Sequence, residues 1–248
     1  MKIKNVLDFL QAKYPLDTAL SFDNVGLLVG GENYDVSGIV VALDCEIDTV
    51  KFAVKNGCNL IVTHHPVIFD GLKKVLSGSV VYELIKNGIS VISMHTNMDF
   101  ALDGVNDALS RVIGLHNVQE ITSSDGVLLR KASIPPCTAQ SLATKLKASL
   151  GDVVRYTECD KMIENVLICS GSGGNYIYDT KSMGCQALIT ADVKHNIFID
   201  SINMGVSVFD AGHFATEDVI VKPICDMLTN EFNKTKTLPY HTLKIKSC

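Results

Sequence analysis

From residue 37 onward, short apolar runs alternate with stretches whose apolar residues recur at helical spacing. "SGIVVALDC" reads as a strand ending at Asp44, and "EIDTVKFAVKNG" as a helix with Val50, Phe52 and Ala53 inward and Gly57 as its stop. "CNLIVTHH" is a second strand and "SGSVVYELIKNG" a second helix. "ISVISMHTNMD" is expected as a third strand running out at Asp99, and "GVNDALSRVIG" as a third helix. Strand, helix, strand at this spacing implies right-handed crossovers and a mostly parallel sheet. Near-continuous apolar strands fit a sheet covered on both faces.

A second α/β series starts near residue 123. "GVLLRKASI" reads as a strand, Pro135 and Pro136 as the turn, "TAQSLATKLKASLG" as a helix and "DVVRYTE" as a strand. "ENVLICSGSGG" follows, then a helix over about 175–184, "CQALITADVKHN", a helix over about 196–204, "GVSVFDAGHFATE" and a last helix to about 230. "TLKIKS" is expected as a final strand. The fold class is therefore α/β, with two domains expected at residues 1–122 and 123–248.

With 248 residues the chain can bury a substantial core, and 47% hydrophobic against 20% charged residues is ordinary for a globular protein. A net charge of −5 argues against nucleic-acid binding through a broad basic surface. The stretch "MKIKNVLDFLQAKYP" reads as an amphipathic helix rather than a signal peptide, and no window approaches the roughly 18 uninterrupted apolar residues of a membrane span. Eight cysteines are scattered without a C-x-x-C pair, which suits reduced, mostly buried thiols and a cytoplasmic location.

The polar residues at strand ends carry the chemistry. Of seven histidines, 64, 65, 95, 195 and 213 fall at predicted C-terminal strand ends, beside Asp44, Asp99, Asp192 and Asp210. In open parallel sheets, ligands bind outside those ends. Adjacent residues on a strand point to opposite faces. His64 and His65 therefore share one ligand only if the strand has ended, as Pro66 suggests; otherwise each serves its own cation or fills a loop. In "HTNMD", Asp99 bridges two cations, orients a histidine or merely closes a turn. In "DAGHFATE", His213 and Glu217 are four apart on one helix face, as ligands or as a surface pair. Together His64, His65, Asp99, His213 and Glu217 offer three imidazoles and two carboxylates, about right for two divalent cations sharing a carboxylate. Zinc, manganese, iron and cobalt all suit these donors, and such a pair lowers the pKa of a bridging water and clamps an oxyanion, which suits hydrolysis. "SGSGG" at 170–174 is either a phosphate cradle or a tight structural turn; Tyr176 breaks a dinucleotide fingerprint.

"SFDNVGLLVG", "ALDC", "NLIVTHHPVIF", "SMHTNMD", "GVNDAL", "CSGSGG", "TADVKHN" and "DAGHFATED" resemble, in order and spacing, the GTP cyclohydrolase 1 type 2 family, also called NIF-three-like dinuclear metal-centre proteins. The resemblance covers almost the whole chain. It implies two interlinked α/β domains with a metal pair in the cleft between them, and a homohexamer built as a trimer of dimers. It carries the ligand role onto His64, His65, Asp99, His213 and Glu217, and places His95, Asp192, Lys194 and His195 beside the metals or on the substrate side. It implies hydrolysis of a nucleotide or similar small substrate, with His95 or His195 shuttling protons; opening a guanine imidazole ring with loss of formate is the named candidate. Phe22, Met98 and Asn196 depart from the family's usual Trp, Leu and His. A non-catalytic ring that stores or delivers metal, or serves as a scaffold, is the competing expectation.

Overall fold

The computed structural model describes residues 1–242 and 245. The expected strand "TLKIKS" therefore lies largely outside the described residues. The chain divides into two compact units, one of residues 1–101 with 220–242 and one built on 102–219. The first supplies α1 (Ile3–Lys13), β1 (Gly26–Val29), β2 (Ile39–Ala42), α2 (Ile47–Lys55), β3 (Leu60–Thr63), α3 (Val80–Lys86), β4 (Ser90–Ser93) and α4 (Thr96–Asp99). The second supplies α5 (Val105–Val112), β5 (Gln119–Thr122), β6 (Leu128–Cys137), α6 (Ala139–Leu150), β7 (Arg155–Tyr156), β8 (Ile163–Ile168), α7 (Ile177–Ser182), β9 (Ala187–Thr190), α8 (His195–Met204), β10 (Ser207–Asp210) and α9 (His213–Glu217). The chain then returns to the first unit with α10 (Val221–Glu231) and β11 (Thr237–Tyr240).

In the first unit the strand order is β1-β4-β3-β2-β11. β11, β2, β3 and β4 are parallel, and β1 closes one edge antiparallel to β4. Every residue of β2, β3 and β4 is buried, as their unbroken apolar runs require of central strands. Val40, Ile61 and Val91 from the sheet pack with Val50, Ala53 and Leu84 from α2 and α3. In the second unit the order is β5-β6-β8-β9-β10-β7, with β8, β9 and β10 parallel and the rest antiparallel. Its core joins Leu142 and Leu146 of α6 to Val166, Ile168, Ile189 and Phe209.

Three expectations change. The division does not fall between residues 122 and 123. α5 belongs to the second unit, where the almost fully buried Arg130 of β6 donates to both carboxylate oxygens of Asp107 at 2.6 and 3.0 Å. α10 and β11 in turn belong to the first. The third strand stops at Ser93, because the His95 carbonyl accepts from the Met98 and Asp99 amides and opens the one-turn α4. Pro135 and Pro136 lie inside β6, not in a turn after it. The β6–β8 register breaks between Ser133 and Cys137, where a residue without an N–H costs no ladder bond. Thr138 then caps α6 by accepting from the Ser141 amide. Strands β1, β5 and β11 are additional; only partly buried, they lack the unbroken apolar run that marks the central strands. Among the described residues no helix is long and apolar enough to cross a membrane.

Candidate metal centre

In the first unit the ends of β3 and β4 deliver three histidines to one place. β3 ends at Thr63, whose hydroxyl donates to the His65 carbonyl at 2.8 Å, so strand alternation no longer governs His64 and His65. His64, buried, has its Nδ1 2.9 Å from the Met94 carbonyl. His65 has its Nδ1 2.7 Å from Asp44 Oδ1, just beyond β2. His95, beyond β4, has its Nδ1 2.9 Å from Asp23 Oδ1. The three ring centroids lie 5.0, 5.1 and 5.6 Å apart, and one ligand atom from each ring lies within 4.8 Å of the others. Asp99 extends the group, its Oδ1 3.4 Å from His64 Nε2.

Each Nδ1 faces an oxygen that only accepts, so Nδ1 carries the proton and Nε2 keeps a lone pair open to a cation or a proton. Asp23 makes this firm for His95. Burial alone would raise its pKa, yet bonds from His95, from the Thr96 amide at 3.0 Å and from the Thr96 hydroxyl at 2.5 Å hold it well below the usual carboxylate range. Asp23 was not among the residues singled out from the sequence. It lies 72 residues from His95, and no local pattern marks that pairing.

In the second unit β10 ends at Asp210, and Gly212 turns the chain into α9. His213 Nε2 lies 2.9 Å from Glu217 one turn on, and its Nδ1 2.7 Å from Asp192 Oδ2. Burial would lower the His213 pKa, but Glu217 and Asp192 together push it up to about 9. Asp192 sits at φ +51°, a left-handed conformation that Asp tolerates better than most residues. Glu217 is buried, and the "SGSGG" turn explains how. Gly171 has φ +58°, and a β-carbon there would stand 1.9 Å from Glu217 Oε1. The Gly171 amide donates to Thr216 Oγ1 at 3.2 Å, and the Ser170 amide to Asn106 Oδ1 at 2.7 Å. The turn seats the carboxylate by having no side chain in its way.

Other strand-end residues do different work. Asp210 pairs with Arg155 and accepts from the Val193 amide, which ties the loop after β9 to the end of β10. Lys194 caps α8 and His195 opens it, both exposed. His65, His64 and His95 thus form one group within the first unit, and His213, Glu217 and Asp192 one within the second. Imidazoles fixed through Nδ1, together with carboxylates, are the donors that divalent zinc, manganese, iron or cobalt accept, so the residues fit such ions.

The family profile described as Duf34/NIF3 (NGG1p interacting factor 3) matches residues 1–247. A Clostridium acetobutylicum protein named GTP cyclohydrolase 1 type 2 homolog is 32% identical over 230 residues, 88% of this chain and 85% of its own. A Clostridium perfringens protein of the same name is 31% identical over 234 residues, 90% and 89% of the two chains. Among solved structures, Staphylococcus aureus protein SA1388 superposes with a TM-score of 0.93 at 27% identity, covering 100% of this chain and 99% of that one. The Bacillus cereus protein related to NIF3 superposes with a TM-score of 0.88 at 19% identity, covering 100% and 98%, and bears on the fold alone.

Proposed function

The chain belongs to the Duf34/NIF3 family, and from that premise we propose that it is a hydrolase working with two divalent cations on a nucleotide or similar small substrate. The name shared by its curated relatives makes ring opening of GTP the first candidate reaction. The observation that carries the reading is the common bracing of the histidines: His65, His95 and His213 each have Nδ1 against a carboxylate, and His64 has it against a carbonyl. Loop histidines that merely fill space have no need of one matched acceptor apiece.

His64, His65, Asp99, His213 and Glu217 would hold the cations. Bound there, the cations supply an acidified water and a positive clamp for a developing oxyanion. His95 carries protons: Asp23 fixes its Nδ1–H and stabilises the imidazolium formed when Nε2 takes a proton. Opening a guanine imidazole ring adds water at C8 and needs a proton at the departing ring nitrogen, and His95 or His195 delivers it. Lys194 meets the negative charge of the substrate, and Asp192 keeps His213 oriented. The active form is a homohexamer, a trimer of dimers.

The test is elemental analysis of untagged protein, with a turnover screen of GTP and other nucleotides across zinc, manganese, iron and cobalt. The expected result is close to two metals per chain, formate release from GTP and a hexamer mass by light scattering. His64→Ala and Glu217→Ala lower metal content, whereas Lys194→Ala and His195→Ala keep the metal and lose turnover. Two metals without turnover on any nucleotide would move the protein to metal storage or delivery. Full activity in Lys194→Ala and His195→Ala would remove those residues from the mechanism.

A further inference from the structure

All nine phenylalanines lie in the described residues, and only Phe22 and Phe69 are exposed, at 62% and 47%. They touch one another, with ring centroids 6.2 Å apart at 34°. Phe69 also stands edge-on to His95, 6.2 Å between centroids at 78°. The two exposed aromatics of this kind are thus side by side and next to the histidine group.

Their placement is built. In the run Phe22-Asp23-Asn24, Asp23 points inward to His95 and Thr96. Asn24 donates from Nδ2 to the Ile68 carbonyl at 2.6 Å, beside Phe69. One tripeptide therefore turns Phe22 out, orients His95 and fastens the loop that carries Phe69. Burial does not hold these rings, so folding alone does not explain two large apolar side chains in water at this point.

We propose that Phe22 and Phe69 form an aromatic wall on which the planar heteroaromatic ring of the substrate stacks, with its edge toward His95. This rests on the hydrolase reading and narrows it to substrates with a flat ring of nucleobase type. The energetics suit the task, because a base stacked on an aromatic side chain typically gains enough to shift affinity about 5- to 100-fold. The wall selects the ring, and the histidines act on it.

The chain has no tryptophan, so Phe22→Trp places its single tryptophan at the wall, to be excited selectively over the tyrosines. The experiment titrates the full, zinc-loaded Phe22→Trp chain with guanosine, adenosine and cytidine, and with tripolyphosphate as a ring-free control. The expected result is saturable quenching by at least one nucleoside and none by tripolyphosphate. Calorimetry should show Phe22→Leu and Phe69→Leu weakening that nucleoside about 5- to 100-fold, with melting temperature and zinc content unchanged. Three results would overturn the wall. One is no quenching by any nucleoside; another is wild-type nucleoside affinity in both Leu variants. The third is a change of oligomeric mass in Phe69→Leu with ring binding intact, which would make this face a contact between copies. Zinc content is read separately, so failure of the metal reading shows as a chain that takes up no zinc, whatever the nucleosides do.

Discussion

In the first unit three imidazoles stand at the ends of parallel strands, and each rests on a group from elsewhere in the fold: His64 on Met94, His65 on Asp44, His95 on Asp23, at separations of 30, 21 and 72 residues. In the second unit one imidazole and one carboxylate share a five-residue helix, four residues apart. They are seated against a glycine turn that leaves no room for a methyl group. The first set draws its accuracy from a sheet whose strands cannot shift independently. The second draws it from local geometry, with α5 behind the turn. A site assembled the first way tolerates small changes near any one ligand; the second way concentrates its vulnerability in a few atoms.

The comparison breaks first at Arg130. Replacing Arg130 by Met leaves the Asp107 carboxylate without its buried partner, at a cost of about 3–5 kcal/mol. Through Asn106 on the same helix, it also loosens the turn at Ser170. Denaturant melts should show the loss, and hydrogen exchange should place it in residues 102–219, with β2, β3 and β4 protected as before. Equal loss in both units would erase the distinction. Next comes Asp23→Asn, which keeps the shape and removes the buried anion. Turnover should fall about 100-fold with metal content unchanged, as expected of a residue that positions a proton carrier. Loss of metal instead would make His95 a ligand.

Gly171→Ala probes the second set with one methyl group. The left-handed backbone alone costs about 1–3 kcal/mol, and the β-carbon must displace Glu217. Metal content should drop while the first set still binds; two metals per chain in this variant would show that the carboxylate has another seat. The smallest effect concerns Cys45, next to Asp44. Burial, then the charges of Asp44 and Glu46, push its thiol up to about 12. Thiolate is scarce below that value, so Cys45 should stay unalkylated by iodoacetamide at pH 8.5, as peptide mass mapping will read.

The layering of the first unit was legible because buried parallel strands are written as unbroken apolar runs, and β2, β3 and β4 are such runs. The local pair His213 and Glu217 was legible for a similar reason, since a spacing of four on a helix is a geometric statement. What escaped depends on distance along the chain. Asp23 precedes a strand that no alternation marks, and its meaning lies in a partner 72 residues away. The seat that Gly171 makes for Glu217 is equally silent, because absence of a side chain signals a turn long before it signals a neighbour. The unit boundary was hidden by α10, which reads as the natural end of the second series, and by β11, a short strand not expected from the sequence, which pairs with β2 of the first sheet.

That return has a consequence during synthesis on the ribosome. β2 is made by residue 42 and acquires its outer neighbour only when residues 237–240 emerge. Between those moments the growing chain carries an open strand edge of Ile39, Val40, Val41 and Ala42, the kind of edge that recruits other chains. A chain halted anywhere before residue 237 keeps that edge for good. β11 is thus also a stopper: it covers the apolar β2 edge and offers in its place an edge that carries Pro239, which has no N–H to donate to another chain.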